Sequence, residues 1–464
     1  MSRDNQLNAL LGLLRMEGAM LSGEVVERLG ISRATLSRLI REVGYRVVRI
    51  GKGRATRLAL RHPEVSRPVP LYAVGEDAEV DWQGQLVPLC AGERVQWRLV
   101  SEEASGSLLE GEFGNGLFPG WPWFLEDLRP SGFLGRAFAR NMAERYSLNP
   151  DPERWTDLEL LSVLSRWGSD FPGNFILGDD HALRDFNEKK IRVRDEDYPP
   201  GNADVYADLA RRVLEEEEEP GSSAGGEQPK FTAVVSESPD ASPRAVLVKF
   251  SPPVDSPGGR RWADLLYAED LANTILSEAG ILSASTRVLA SEKRVFLESL
   301  RFDRVGALGR RGVVSLRSLD AAHFGHGGGS WADMARQMVE EGWITRADGD
   351  VMVRLHCFGQ LIANTDMHWG NLSFYLPGRR PFPLAPVYDM VPMLFRPSAT
   401  GEVVSRNFQL SLPKPEDRRA WLAMHPYAVE FWQRLSAREE ISEDFREIAA
   451  NAAQALGRGI KDEG

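Results

Sequence analysis

The sequence is poor in the features that mark secreted and membrane-spanning proteins. Its 464 residues include only two cysteines, Cys90 and Cys357, which are too few for a disulfide framework or a thiolate metal site. Its uncharged apolar runs fall well short of the roughly 18 residues that a bilayer-spanning helix needs. The N-terminal leucines are interrupted by Arg15 and are followed by no small-residue cleavage site, so no secretory signal is predicted. These absences predict a cytoplasmic protein with no membrane partner.

Charge is abundant, but it is distributed unevenly along the chain. Residues 1–67 contain 13 Lys/Arg and 6 Asp/Glu, a net charge of +7, whereas the whole chain carries −11, which leaves −18 on the other 397 residues. At roughly 150 residues per domain, the length predicts about three structural units. A basic head on an acidic body predicts that the N-terminal end binds a polyanion and that the rest has another task.

The basic head, residues 1–67, is predicted to contain three helices and a β-hairpin. Apolar residues recur at helical spacing over 6–20 and 22–29, and Ser32 is a suitable N-cap for a third helix. Residues 45–60 then predict two strands around a glycine-containing turn. This order is typical of a winged helix-turn-helix domain, in which the helix after the turn lies in the DNA major groove.

The polar face of the third helix and the hairpin carries the residues expected to bind double-stranded DNA. Leu36, Leu39 and Ile40 form an apolar stripe that should pack inwards. The side chains expected to contact bases or phosphates are Arg33, Ser37, Arg38, Arg41, Arg49, Lys52, Arg54 and Arg57. The alternative is a helical domain that contacts protein and whose arginines are only solvated. Many winged-helix proteins dimerise, which favours a homodimer.

Residues 68–302 are predicted to hold a small antiparallel sheet, several helices and then the smaller lobe of the body. Short segments near 85–89 and 95–99 predict strands, and Pro88 predicts that the first of them is an edge strand. Helices are expected to follow to about residue 170. Five consecutive acidic residues, Glu215–Glu219, predict a solvated helix end, and a Gly/Ser-rich segment comes directly after it.

The strongest local signal lies in residues 303–464, which are predicted to be mostly helical. Asp366 is followed five positions later by Asn371, and Asp389 comes eighteen positions after that. This is the layout of the catalytic and metal-binding loops of protein kinases. One carboxylate can orient an attacking hydroxyl, while an amide oxygen and a second carboxylate can hold Mg²⁺ on phosphates. The Asp–Asn spacing alone is common and carries little weight.

Three upstream features strengthen the kinase interpretation. Lys249 lies in the apolar strand segment 245–250, where a lysine is costly unless an anion pairs with it. Glu269 follows twenty residues later on a predicted helix, where it could supply that pairing. The Gly-rich segment at 221–230 precedes both residues, as a loop that covers nucleotide phosphates should. The order of the motifs is therefore that of the kinase fold.

In these motifs the chain resembles the HipA-like serine/threonine kinases of bacterial toxin–antitoxin systems. It looks closest to the YjjJ-type branch, in which a winged helix is fused to the HipA-like body. The matching segments are SSAGGEQPK (222–230), VLVKF (246–250), LRFDR (300–304), NTDMHWGN (364–371) and LAPVYDM (384–390). The resemblance implies an α+β fold with a two-lobed HipA/protein-kinase-like body preceded by a small winged helix-turn-helix domain.

The resemblance also implies ATP and Mg²⁺ as cofactors and assigns roles to individual residues. Asp366 would be the catalytic base, and Asn371 and Asp389 would be metal ligands. The nucleotide would be bound by Ser223, Ala224, Gly225, Gly226, Lys249, Leu300, Phe302, His368, Asn371 and Tyr388. The family phosphorylates a serine of its own Gly-rich loop, which aligns here with Ser222 or, as second choice, Ser223. Its protein substrates include aminoacyl-tRNA synthetases, so a protein substrate of that kind is the implied partner.

Two other functions stay open at this point. A DNA-binding transcriptional regulator could keep an inactive kinase-like body that only senses nucleotide, and a small-molecule kinase could use the same site. His368 has an alternative role as a histidine that only supports its own loop. His323 and His326 lie near a glycine run that lacks the lysine of a P-loop, so an ordinary loop is favoured there over a metal or phosphate site.

Overall fold

The computed structural model describes residues 2–101, 106–193, 198–216, 228–238 and 241–459. Over these ranges the chain is a mixed helix and sheet protein, as the expected α+β class requires. None of the helices in the described ranges is both long enough and apolar enough to span a bilayer.

The basic head folds as three helices and a three-stranded sheet. Its elements are α1 (Arg3–Glu17), β1 (Met20–Leu21), α2 (Ser22–Leu29), α3 (Arg33–Val43), β2 (Val47–Ile50) and β3 (Arg57–Leu60). The Ser32 hydroxyl accepts a hydrogen bond from the Thr35 amide and so caps α3, as predicted. The sheet order is β1-β3-β2, and apolar residues of all three helices share one small core. Three helices and a hairpin are present in the predicted order, and the short strand β1 is an addition that the sequence did not predict.

A five-stranded antiparallel sheet and a layer of helices follow the head. These elements are β4 (Val69–Val74), β5 (Val80–Ala91), β6 (Arg94–Val100), β7 (Leu117–Phe118), α4 (Gly132–Tyr146), α5 (Asp157–Trp167), β8 (Phe175–Leu177) and α6 (Ala182–Arg192). The sheet order is β7-β6-β5-β4-β8, so the prediction of an edge strand at Pro88 is wrong. The pairing of β4 with β5 ends at Leu86, so no hydrogen bond between these two strands needs the N–H that Pro88 lacks. The Pro88 carbonyl instead accepts a hydrogen bond from the His62 amide at 2.9 Å.

The head packs directly on the long central strand β5. Cys90 of β5 joins the core of the head, and Ile50 and Ala59 of the head hairpin pack against Val87 and Leu89. The hydrogen bonds that cross this contact include those from the Gly92 amide to the Arg15 carbonyl (2.8 Å), from the Ala19 amide to Gln96 Oε1 (2.9 Å) and from Arg98 Nη1 to the Arg49 carbonyl (3.0 Å). The head is therefore held by packing and main-chain contacts as well as by the chain that leads out of it.

A four-stranded antiparallel sheet and a long helix surround Lys249. The elements are α7 (Ala203–Glu216), β9 (Lys230–Val235), β10 (Arg244–Phe250), α8 (Pro257–Glu278), β11 (Thr286–Ala290) and β12 (Val295–Leu300). The sheet order is β11-β12-β10-β9, which places β10 inside the sheet. Tyr206 of α7 packs with Phe231, Phe250 and Phe296 on one face, and α8 is buried along most of its length.

The remaining described chain is mostly helical. It comprises β13 (Arg304–Val305), β14 (Gly309–Arg310), β15 (Val313–Ser315), α9 (Leu316–His323), α10 (Trp331–Glu340), α11 (Arg346–Leu361), β16 (Ser373–Tyr375), α12 (Arg418–Ala437) and α13 (Glu443–Gly459). The large buried side chains of this part include Phe358, Phe374 and Trp432. They belong to one core that continues into α8 and the five-stranded sheet. The loop between α11 and β16, which holds Asp366 and Asn371, rests on this core.

Candidate active site

Lys249 on β10 is bound by two carboxylates. Its Nζ donates hydrogen bonds to Glu269 Oε1 and Oε2 at 2.6 and 2.7 Å, and it also donates to Asp389 Oδ1. Only 7% of Lys249 and 3% of Glu269 are exposed. Burial alone would lower the pKa of Lys249, but the Asp389 and Glu269 carboxylates raise it above its ordinary value. The pairing with Glu269 that the sequence predicted is therefore present, and Asp389 joins it.

Asp389 turns its carboxylate toward this pair from a left-handed backbone conformation, with φ at +57°. Non-glycine residues rarely adopt this conformation, and they do so mostly where the surrounding structure enforces it. Burial would raise the pKa of the Asp389 carboxyl, but Lys249 and, more weakly, Lys230 hold it below the ordinary value. Its side chain is still 28% exposed. Asp389 is therefore an ionised carboxylate that is reachable from outside the protein.

Asn364 ties the two acidic segments together. Its Nδ2 donates to the Asp389 carbonyl at 3.1 Å, and its Oδ1 accepts from the Asp366 amide at 3.0 Å. Asn371 Nδ2 donates to the Asp366 carbonyl at 3.0 Å, which leaves the amide oxygen of Asn371 as the atom that can bind a cation. The structure thus brings Asp366, Asn371 and Asp389 into one hydrogen-bonded unit. The sequence reasoning assigned no role to Asn364, although its position two residues before Asp366 is typical of an Asx turn.

His368 supports its own loop. Its Nδ1 accepts a hydrogen bond from the Gly370 amide at 3.1 Å and caps the short 3₁₀ turn Trp369–Asn371. The side chain is nevertheless exposed. His368 therefore does support its own loop, through Nδ1. A contact between its Nε2 and the nucleotide stays a prediction.

Tyr388 is a packing and hydrogen-bonding support beside the loop. Its hydroxyl donates to the Gly370 carbonyl at 2.9 Å and lies 2.8 Å from the Ser373 hydroxyl. Its ring stacks on Phe302 with centroids 5.6 Å apart. Burial raises the pKa of Tyr388 above its ordinary value. The phenol is therefore neutral and already paired, so a nucleotide would meet the ring rather than the hydroxyl.

The predicted nucleotide-binding residues Leu300 and Phe302 lie where β12 ends. Leu300 is 39% exposed there, and Phe302 is half-buried. The amides of Leu300 and Arg301 already donate to the Ser285 and Ala245 carbonyls at 2.9 and 3.0 Å. Those two amides are therefore not available to a base, which leaves the Phe302 amide and the carbonyls of the segment.

Lys230 is a cation of this site that the sequence reasoning did not single out. It is the cross-strand neighbour of Lys249 in the pairing of β9 with β10, and directly opposed residues share one face of a sheet. Its position at the end of the Gly-rich motif and the pairing of the two strands are the signals that could have found it. The predicted loop residues Ser222, Ser223, Ala224, Gly225 and Gly226 lie outside the described residues.

The residues present fit a nucleotide with a divalent cation. Carboxylate and amide oxygens are the ligands that Mg²⁺ prefers, and Asn371 and Asp389 supply them. Within the described ranges, no three His, Cys, Asp or Glu side chains are grouped to hold a metal ion. A cation here would therefore need further oxygen ligands such as those of phosphate, whose charge Lys249 and Lys230 could balance.

The residues predicted to bind DNA lie mostly on the surface of the head. Arg33, Arg38 and Arg41 are exposed on α3, whereas Ser37 is half-buried. On the hairpin the exposed residues are Arg49, Lys52 and Arg54. Arg57 differs, because its guanidinium is half-buried and donates to the Ala19 carbonyl at 3.2 Å. The exposed arginines form a basic surface, and Arg57 holds the head together instead.

Two family models match separate parts of the chain. One is described as the middle domain of YjjJ-like toxins and matches residues 65–186. The other is described as the HipA-like C-terminal domain and matches residues 222–456, which is more than half of the chain and contains every residue of the candidate site.

One curated relative is similar over nearly the full length. Toxin YjjJ of Escherichia coli (strain K12) is 36% identical over 446 residues, which cover 96% of each chain. Among solved structures, the Shewanella oneidensis MR-1 complex of HipA, HipB and operator DNA gives a TM-score of 0.40 at 15% identity, covering 70% of this chain and 84% of that chain. The Helicobacter pylori proinflammatory kinase CtkA gives 0.35 at 15% identity, covering 53% and 96%. The match to the curated relative includes most of the basic head.

Proposed function

Because this chain belongs to the HipA-like toxin family, in its YjjJ branch, we propose that it is a serine/threonine protein kinase that uses ATP and Mg²⁺ and carries its own DNA-binding domain. The observation that carries the proposal is the buried Lys249–Glu269 pair in contact with Asp389. A buried lysine fixed by one carboxylate beside a second, reachable carboxylate is the arrangement that phosphoryl transfer needs.

Each residue of the site has a separate task in this proposal. Asp366 accepts a hydrogen bond from the acceptor hydroxyl and orients its oxygen toward the terminal phosphate. Asn371 and Asp389 hold Mg²⁺, which supplies positive charge to the phosphate oxygens during transfer. Lys249 and Lys230 balance further phosphate charge. The rate gain comes mainly from positioning and from fixed charges, because the protein itself does little covalent chemistry in such a reaction.

Nucleotide binding would change the partners of Lys249. Its bond to Asp389 uses the same carboxylate that would hold the cation, whereas its bonds to Glu269 do not. Lys249 would therefore keep Glu269 and exchange Asp389 for phosphate oxygens. The pKa of Asp389 is held low mainly by Lys249, and the cation would take over that role as the positive charge beside the carboxylate.

Regulation and partners follow as further parts of the proposal. Autophosphorylation of Ser222 or Ser223 would add roughly −2 charge next to the acidic run Glu215–Glu219, and repulsion would move the loop away from the nucleotide. We propose a protein substrate such as an aminoacyl-tRNA synthetase, a homodimer and a cytoplasmic location on the same grounds. The structure with HipB and operator DNA belongs to the Shewanella protein, and DNA binding by this chain rests on its own basic surface.

A second candidate is a DNA-binding regulator whose kinase-like body only senses nucleotide. It is favoured by the exposed arginines of α3 on a head that packs firmly against the body. The two candidates differ in whether phosphate is transferred, so incubation with labelled ATP and Mg²⁺ separates them.

The decisive experiment compares wild type with Asp366→Ala in labelled ATP with cell extract, followed by mass spectrometry of residues 221–230. Losing a general base typically costs about 10²–10⁴-fold in rate, so we expect phosphate transfer to fall by about that factor while Mg·ATP binding persists. Asp350→Ala, an exposed carboxylate on α11, is the matched control and should behave like wild type. Equal incorporation by Asp366→Ala and wild type would contradict the assignment of Asp366.

A further inference from the structure

A cleft of about 560 Å³ lies beside the catalytic loop, and the site described above does not account for it. It is lined by Met367–Gly370 but by none of Lys249, Tyr388 or Asp389. We propose that this cleft binds the acceptor segment of the protein substrate and that Arg317 selects segments with an acidic residue near the acceptor Ser or Thr. This inference rests on the proposed kinase function and names the substrate class for it.

One wall of the cleft is a preformed loop anchored by Asp320. The Asp320 carboxylate accepts hydrogen bonds from the amides of His326 at 2.9 Å and Gly327 at 2.8 Å, and only 2% of the residue is exposed. Both carboxylate oxygens are therefore occupied by backbone donors. Asp320 therefore shapes this wall of the cleft.

The same loop is joined to the catalytic segment. Trp369 lies three residues after Asp366 in the chain, and its Nε1 donates a hydrogen bond to the Gly329 carbonyl at 2.9 Å. Gly327 and Gly328 have φ angles of +77° and +145°, and a Cβ added to either would meet no atom within 4 Å. This part of the wall is open backbone without side chains, which leaves room for another main chain to lie against it.

Arg317 supplies the positive charge among the described residues that line this cleft. It is exposed on α9, and none of the described residues forms a hydrogen bond or ion pair with it. The nearby carboxylates are engaged elsewhere: Glu126 pairs with Arg129 at 3.2 Å, and Asp127 binds the Ser315 amide at 2.7 Å. Arg317 acts on Glu126 only through its charge. The cleft therefore presents an exposed cation that has no hydrogen bond or ion pair within the described residues and lies next to the loop of Asp366, and this cation favours an acidic side chain close to the acceptor hydroxyl.

The test uses two synthetic peptides that contain a single Ser, flanked by Glu in one and by Lys in the other, with labelled ATP and Mg²⁺. We expect wild type to favour the Glu peptide by about fivefold, the ratio that one exposed ion pair supplies, and Arg317→Glu to reverse the preference. The matched control is Arg346→Glu on α11, also exposed and outside the cleft, which should keep the wild-type preference. Mg·ATP binding, measured by calorimetry, should be equal in all three proteins.

A second variant tests whether transfer needs the open volume of the cleft, independently of the charge of Arg317. Ala321 is exposed on α9 and lines the cleft, so Ala321→Trp fills it without disturbing the core. We expect transfer to both peptides to fall by about tenfold or more while Mg·ATP binding is kept. Equal rates on both peptides in wild type and Arg317→Glu, or an unaffected Ala321→Trp, would overturn the cleft inference alone. Wild-type protein that labels neither peptide but does label protein in cell extract would also overturn the cleft inference, whereas wild-type protein that transfers phosphate to neither peptide, to no protein of the extract and not to itself would overturn the proposed function.

Discussion

At Lys249 one buried ammonium group pairs with two carboxylates, and Lys230 is a second cation whose charge acts on both of them. The raised pKa of Lys249 and the lowered pKa of Asp389 have the same cause, because each charge stabilises the other. Glu269 differs, since its burial raises its pKa more than Lys249 lowers it. Glu269 is therefore the member of the cluster that most depends on the lysine.

Replacing Lys249 tests this dependence. Lys249→Met leaves the buried Glu269 without its cation, so we expect the free energy of unfolding to fall by about 3–5 kcal/mol, the usual cost of breaking a buried pair. The double variant Lys249→Met/Glu269→Leu removes the stranded charge and should recover most of that loss, because two apolar side chains can replace a buried ion pair. Urea unfolding gives the stability, and nucleotide calorimetry gives binding, which should be weak in both variants.

A double variant as unstable as Lys249→Met would show that the charge balance is not what stabilises this cluster. Recovered Mg·ATP binding in the double variant would instead remove Lys249 from the nucleotide site.

Helix α3 illustrates how local sequence determines an element and leaves its surface free for function. The Ser32 cap begins the helix, and Leu36 and Leu39 turn toward the small core of the head. The remaining face carries Arg38 and Arg41 into solvent. An amphipathic helix with a basic outer face is what major-groove binding requires.

Removing two of these arginines should weaken DNA binding without disturbing the fold. We expect Arg38→Ala/Arg41→Ala to bind duplex DNA more weakly and with a shallower salt dependence, because each lost phosphate contact reduces the slope by about 0.9. Gel shifts at several salt concentrations measure this effect. Arg346→Ala/Arg354→Ala on α11 removes the same charge from the body and should leave binding unchanged. An equal loss in both double variants would mean that total charge, rather than α3, determines DNA binding.

At the scale of the whole molecule, hydrogen bonds of Asp127 connect the region of the five-stranded sheet to the candidate active site. Asp127 lies between β7 and α4. Its carboxylate accepts three hydrogen bonds, from the Ser315 amide at 2.7 Å, the Ser315 hydroxyl at 2.6 Å and the Ser318 hydroxyl at 2.9 Å. Ser315 ends β15, which pairs with β16 directly after the catalytic loop. We therefore expect Asp127 to act as a positioning residue, because it holds the strand pair that leads from Asn371.

Loss of this carboxylate should lower the rate more than it lowers nucleotide affinity. Asp127→Ala leaves buried donors of Ser315 and Ser318 unpaired, at a cost of about 1–3 kcal/mol per group, and it loosens the strand next to the catalytic loop. We expect a lower melting temperature and a lower kcat with little change in KM for ATP. Glu153→Ala, an exposed carboxylate in the same region, is the control. A KM that rises with kcat unchanged would exclude the positioning role.

Much of the local structure could be predicted from residues that are neighbours in the chain. The bounds of α2, the cap of α3 and the strand that holds Lys249 all follow from spacing and from side chains a few positions apart. The pairing of Lys249 with Glu269 was predicted because a buried lysine demands an anion. These features depend on contacts within one or two elements, so periodicity and composition are sufficient to find them.

The sequence by itself determined the helices and hairpin of the head, the strand that holds Lys249, the order of the kinase motifs and the basic face of the head. Only the tertiary structure decided that Asp389 meets Lys249, that Asn364 links two loops and that the strand of Pro88 lies in the centre of its sheet. The reason is physical: these contacts join residues that are far apart in the chain, and their geometry is set by how whole layers pack. Neither the spacing nor the propensity of the individual residues carries that information.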